Sequence, residues 1–272
     1  MIQLLQRKAF TMIELIFVII ILAIVASIGS QIIVNAYSSY ILERAQHRAS
    51  IKTELAALQI ANRLSSAIPG TVFRIKDGGG FEPITEGFPA DNNYTGIQWV
   101  GSDVDSFSAT LTPGWSGFCD INASSANSIV SPGSSLSSID TIIRNLSSKT
   151  IANAQLYFYD GNLSGHSIIS VNAPTNTLNI TSILTGDKLS ERYKIAWTSY
   201  ALIVDGAGDL YLYYDFPAIP KSTAYGKKSL IMHNVATFKF KGAGKSIRFK
   251  ICKEEQIGED FNVTACKEKA VF

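Results

Sequence analysis

Arg7-Lys8-Ala9-Phe10-Thr11-Met12-Ile13-Glu14 leads into an uncharged run from Leu15 to Leu42. Two cations, a small residue, an aromatic and one acid thus stand at the head of a long apolar stretch. About 20 apolar residues cross a bilayer, and this run is longer. Basic residues flanking a span stay on the cytoplasmic side, so the rest of the chain points outward. A secretory signal peptide would carry a shorter apolar core followed by a small-residue cleavage site. Here Ala9 precedes the core, so the span reads as retained. An ionised carboxylate in hydrocarbon costs several kcal/mol unless paired, so Glu14 needs a partner.

Working outward, no Gly or Pro interrupts Tyr37 to Ile68. Ile51, Leu55 and Leu58 recur at helical spacing, and Ala61, Leu64 and Ile68 continue the stripe, so these six predict the packed face. Glu43, Arg44, Lys52, Glu54 and Arg63 are left for water or neighbours. Pro69-Gly70 is a stop signal. A helix from Phe10 to Ile68 would be about 85 Å long, more than a compact domain uses. We expect a transmembrane part over 13–36, an amphipathic stalk over 37–68 and a β-rich head over 69–272.

Composition limits the function classes. The chain has 272 residues, a net charge of +2, 46% hydrophobic and 17% charged residues. Near-balanced charge argues against a dedicated nucleic-acid binder. His47, His166 and His233 each stand alone, and no Cys or His pair has metal-ligand spacing. Gly114-Trp115-Ser116-Gly117 lacks nucleophile-elbow spacing, and no Gly-rich phosphate loop follows a strand, so no enzyme is expected.

In the head, residues 71–135 read as loops and short strands with scattered aromatics such as Phe88. Leu136, Ile139, Ile142, Ile143 and Leu146 mark one face of a short helix. Strand-like runs follow at Gln155–Tyr159, Ser167–Val171 and Leu178–Leu184. Tyr193–Val204 and Leu210–Phe216 form a hairpin around Asp205-Gly206-Ala207-Gly208-Asp209. Val235–Lys241 and Ser246–Cys252 form another across Gly242-Ala243-Gly244. In it, Phe238, Phe240, Ile247, Phe249 and Ile251 face inward, and Lys239, Lys241, Arg248 and Lys250 face out. The fold class is α+β, a long N-terminal helix with antiparallel hairpins.

The stretch Phe10-Thr11-Met12-Ile13-Glu14-Leu15, with its basic leader, resembles the processing site of type IV pilins and the pseudopilins of type II secretion and competence systems. The resemblance covers about the first 30 residues. It implies a leader over 1–9 bearing Arg7 and Lys8, cleavage between Ala9 and Phe10 by prepilin peptidase, and N-methylation of Phe10. Ala9 stands where Gly is usual, and the span lacks the Pro found in many major pilins. Cleavage would create an α-amino group on Phe10, of reference pKa about 7.7–8.0. The resemblance implies that Glu14 pairs with that amine on an adjacent subunit. It further implies an inner-membrane subunit that joins other pilin or pseudopilin subunits through an assembly platform.

The remaining candidates are chemical. Cys252 and Cys266 enclose a C-terminal loop that a disulfide would close in an oxidising compartment. Pilins often close such a loop, although pairing of Cys119 with either partner stays open. Asp205 and Asp209 are a calcium candidate, with a plain turn as the alternative and no other cofactor expected. Lys239, Lys241, Arg248 and Lys250 are candidate phosphate contacts, with edge protection of a solvated strand as the alternative. Tyr200, Tyr211, Tyr213 and Tyr214 read as one aromatic packing cluster.

Overall fold

The computed structural model describes residues 11–84, 94–108, 112–159, 165–172, 176–181, 189–243, 246–257 and 261–271. Arg7, Lys8, Ala9, Phe10, Phe88, Gly244 and the Ser182–Leu184 end of one expected strand lie outside them. The first element is α1, Met12–Leu64, a 53-residue helix of about 80 Å at 1.5 Å per residue. It stops before Pro69, and Gly70 takes the positive φ of 80° that turns the chain away.

The rest is β-rich, as expected. The strands are β1 (Phe73–Lys76), β2 (Phe81–Pro83), β3 (Tyr94–Gly101), β4 (Ser128–Val130), β5 (Gln155–Phe158), β6 (His166–Asn172) and β7 (Thr177–Ile180). There follow β8 (Tyr193–Ala196), β9 (Thr198–Val204), β10 (Leu210–Phe216), β11 (Lys227–Met232), β12 (Val235–Ala243), β13 (Ser246–Gln256) and β14 (Asn262–Val271). Two further helices are α2 (Val104–Ser108) and α3 (Leu136–Leu146). Among the described residues the strands form three antiparallel sheets, ordered β11-β10-β9-β3-β1-β2, β4-β7-β6-β5-β8 and β12-β13-β14.

Two helices cover the three sheets, α3 one of them and α1 the other two. The predicted helix α3 buries Leu136, Ile139 and Ile143 on the five-stranded sheet, against Leu156, Ile168, Leu178 and Ile195. Helix α1 packs Ala56, Ala57, Ile60 and Leu64 into a second core. That core includes Trp99 and Leu202 of the six-stranded sheet and Phe240, Phe249 and Ile251 of the three-stranded one.

The face that α1 turns inward differs from the one expected. Its buried residues are Ala45, Ala49, Thr53, Ala56, Ala57, Ile60 and Leu64, while Ile51, Leu55 and Leu58 remain 46%, 56% and 42% exposed. Of the expected stripe, Leu64 and Ile68 are buried and Ala61 packs on the core, so only its distal half faces the head. The physical reason is closeness of approach. Small side chains let the helix lie directly on β14, where the Thr53 hydroxyl donates to the Ala49 carbonyl at 2.7 Å and reaches the Ala265 carbonyl at 3.4 Å.

A second difference is at Trp197. The run expected as one strand over Tyr193–Val204 is two, with β8 pairing β5 and β9 pairing β3 and β10. The chain crosses there from one sheet to another. Thr198 holds the crossing, because its hydroxyl donates to the Ser199 carbonyl at 2.9 Å and accepts the Asp215 amide at 3.0 Å. Nearby, Asp215 of β10 pairs with Lys149, just after α3, at 3.3 Å and with Lys227 of β11 at 3.0 Å.

The pleat also splits the tyrosines. Tyr200 faces the α1 core and stacks on Trp99 at 5.8 Å between centroids, whereas Tyr213 packs on the opposite face against Tyr225 at 5.1 Å. They are therefore not one cluster.

Candidate assembly helix and head surfaces

Thr11 enters α1 in extended conformation, and its carbonyl accepts the Leu15 amide at 3.2 Å. Glu14 lies in the first turn. There the free amide groups and the positive end of the helix dipole favour a carboxylate. Among the described residues no cation stands within ion-pair distance of it. The apolar segment that follows has none of its surface covered by the head and is long and apolar enough to cross a membrane. Beyond it, Ile51, Leu55 and Leu58 recur every three to four residues, so they lie on the face of α1 turned away from the head. One helix thus offers small residues to its own head and large apolar ones to the outside.

The head grips α1 through its last strand. Glu54 bonds Lys269 at 2.7 Å and pairs with Lys267 at 3.4 Å. The Lys269 bond foremost, and Lys267 with it, hold the Glu54 carboxyl below the usual range. Arg63, expected to face water or neighbours, lies over the Tyr200 ring at 5.5 Å. Lys253 is buried and bonded to Glu255 at 2.7 Å, which lowers the Glu255 carboxyl.

The cysteines resolve the pairing left open by sequence. Cys252 and Cys266 stand opposite each other in the β13–β14 register, with Cα atoms 4.0 Å apart, and form a disulfide. Cys119 is a buried free thiol in the five-stranded core, 3.4 Å from the Ser124 hydroxyl, and burial pushes its pKa up.

The expected β9–β10 turn uses its carboxylates internally. Asp205 Oδ1 accepts the amides of Ala207 and Asp209, both at 2.9 Å. Asp209 Oδ2 bonds His233 Nδ1 at 2.8 Å, so His233 does not stand alone as expected. Among the described residues no three His, Cys, Asp or Glu side chains converge. Nor does His166 stand alone, since its ring meets Phe158 at 5.8 Å. Ser116 Oγ accepts the Phe118 amide at 3.3 Å, and its side chain also meets a hydroxyl. It lies 3.2 Å from Ser131, which in turn contacts Ser134 at 2.6 Å and the Tyr193 hydroxyl at 2.5 Å. Burial pushes that tyrosine up to about 12.

On the three-stranded sheet the four expected cations share the face opposite α1. Lys239 stands directly across from Lys250, and Lys241 across from Arg248. Glu268 of β14 stands across from Lys250 and 3.8 Å from Arg248. The sequence reading also missed an open groove of about 770 Å³ between α1 and β9–β11, lined by Arg63, Asp105, Trp197, Tyr200 and Tyr214. Its walls come from distant parts of the chain, so no local pattern marks it.

Residues 5–30 match the family described as the prokaryotic N-terminal methylation motif. No curated protein and no solved structure matches the chain. The match falls on the basic residues, the candidate cut, Glu14 and the bare first half of the span. The chain therefore carries the prepilin-type leader of type IV pilins and pseudopilins, on a helix fit to anchor it in an inner membrane.

Proposed function

We propose that this protein is a minor pilin or pseudopilin, a structural subunit of a type IV pilus-like or type II secretion filament. Prepilin peptidase cuts between Ala9 and Phe10 on the cytoplasmic face and Phe10 is N-methylated. The subunit waits in the inner membrane with its head in the periplasm. An assembly platform then draws the helix out to pack against other subunits, and Glu14 pairs with the Phe10 amine of a neighbour. The observation that carries this reading is the outward face of α1, where the bare span continues into exposed Ile51, Leu55 and Leu58. An apolar ridge of that length lowers its free energy by burial against like helices. A head of about 200 residues is bulky for dense helical packing, which favours a minor position, for example at a tip.

Mass spectrometry of the mature protein tests the processing, with a chain starting at N-methylated Phe10 expected and an intact Met1 refuting it. Glu14→Ala tests assembly. It should leave membrane insertion and cleavage normal and remove the subunit from filaments, and unchanged incorporation would refute the pairing. A second reading, a tip subunit that attaches to DNA or another surface, is favoured by the cation face alone.

A further inference from the structure

We infer that Asn122 is an acceptor of N-linked glycosylation on the outer side of the inner membrane, which rests on the head facing outward as proposed above. Asn-x-Ser/Thr, with any residue but Pro at x, is the acceptor pattern of this modification. The chain holds it at Asn93, Asn122, Asn145, Asn162, Asn179 and Asn262. In four of the six an aspartate stands two residues before the asparagine, at Asp91, Asp120, Asp160 and Asp260. With 22 acidic residues in 272, chance supplies fewer than one such coincidence, so the acid belongs to the pattern. The spacing has a physical meaning. Alternate residues of an extended segment share one face, about 6.8 Å apart. Asp-x-Asn-x-Ser/Thr thus presents a carboxylate, a carboxamide and a hydroxyl in a row to an enzyme that binds its substrate extended. A cation of that enzyme would take the carboxylate and a polar group the hydroxyl, which registers the carboxamide between them. The saccharide arrives as the diphosphate ester of a membrane lipid. Asn122 Nδ2 attacks its anomeric carbon, and the N–C bond forms as the C–O bond to the diphosphate breaks. The leaving lipid diphosphate takes the electron pair, and an Nδ2 proton passes to a base of the enzyme.

The fold singles out Asn122 among the described sites. It is exposed on the loop that leads from Cys119 to β4, and its carboxamide bonds to no described residue. That loop belongs to the lobe built on the five-stranded sheet, whose core contains no residue of α1. A saccharide there leaves the outer ridge of α1 bare for packing. The folded loop is a turn: Asp120 Oδ1 accepts the amides of Asn122 and Ala123 at 3.0 and 3.1 Å, and Ser124 Oγ accepts the Val130 amide at 2.9 Å. Transfer to an extended segment therefore takes place before this turn closes or while it is open. The closed turn then holds the modified side chain in solvent. Other sites serve as comparisons. Asn145 and Asn179 have Ile143 and Thr177 in place of the acid, and Asn179 bonds Ser170 at 2.9 Å across the sheet. The Asn262 carboxamide bonds Glu254 at 2.6 Å. Asn93, Asn162 and Asp260 lie outside the described residues.

The test is peptide mass spectrometry of the full-length protein, isolated from the membranes of the cells that make it. A saccharide increment is expected on the peptide that contains Asn122 and none at Asn145 or Asn179. Asp120→Asn keeps a side chain able to close the same turn but removes the charge, and it should lower occupancy at Asn122 about tenfold or more. Asp120→Glu keeps the charge on a longer side chain and should retain the modification. Protease accessibility of the head in spheroplasts, measured in parallel, separates this inference from the reading beneath it. An accessible head with a bare Asn122 would overturn the glycosylation alone, whereas a head shielded from protease would overturn its outward placement as well. Undiminished occupancy in Asp120→Asn, or equal occupancy at Asn145 or Asn179, would overturn the part given to the acid.

Discussion

Ala57→Leu and Leu55→Ser probe the two faces of α1 against each other. Ala57 is fully buried against the sheets, and Ala56 and Ile60 beside it are equally enclosed. A leucine at 57 adds three carbons where the packing has no room, and overpacking of this kind costs about 1–3 kcal/mol. For a head of about 200 residues, each kcal/mol moves Tm by about 2–4 °C, so a drop of about 2–12 °C is expected. Leu55 lies on the bare outer face, and its change to serine should shift stability by less than about 0.5 kcal/mol. Thermal unfolding of the full-length protein in detergent, followed by tryptophan fluorescence, measures both. Trp99 is a suitable reporter because it is buried in the same core. Filament incorporation should reverse the order, with Leu55→Ser the defective variant wherever Ala57→Leu is still folded. Equal loss of Tm in the two variants, or none with Ala57→Leu, would show that the head is not held by the small-residue face.

Two further outcomes follow from the C-terminal sheet. Replacing Cys252 and Cys266 together by serine opens a loop with a sequence separation of 14 and should cost about 3 kcal/mol in denaturant unfolding, an effect that reductant should reproduce in the native protein. The Glu54 latch should weaken in acid. Its carboxyl is depressed in the folded state by Lys269 and Lys267, so its contribution is present above the ordinary glutamate range and is lost as pH falls through the folded value. Amide exchange along β14 should therefore rise on acidification in the native protein and already be raised at neutral pH in Glu54→Gln. Exchange in that variant matching the native protein at neutral pH would remove the latch.

Much of the architecture was legible in the chain because local rules sufficed. Asp205–Asp209 and the Gly242-Ala243-Gly244 segment marked hairpins; β10 falls where alternation placed it, while β12 runs on through Gly242 and Ala243 of the expected turn and β13 extends past Cys252 to Gln256. The periodicity of Leu136–Leu146 gave α3. Long apolar runs were less decisive. Tyr193–Val204 reads as one strand, since nothing local distinguishes a strand from two that change sheets at Trp197. The groove beside Arg63 and the His233–Asp209 contact depend on segments far apart in sequence, and no spacing rule reaches that far.

By itself the sequence determined the span, the leader, the lone acid at Glu14, the hairpins and the cation alternation, because each is written in neighbouring residues. Only the tertiary structure decided which side of α1 the head occupies. Two apolar faces at helical spacing compete there, and the small one wins because alanines admit a sheet at close range while Ile51, Leu55 and Leu58 would hold it off. It also decided that Cys252 meets Cys266, and that Arg248 and Lys250 lie on a central strand, since strand order and register are set by long-range pairing.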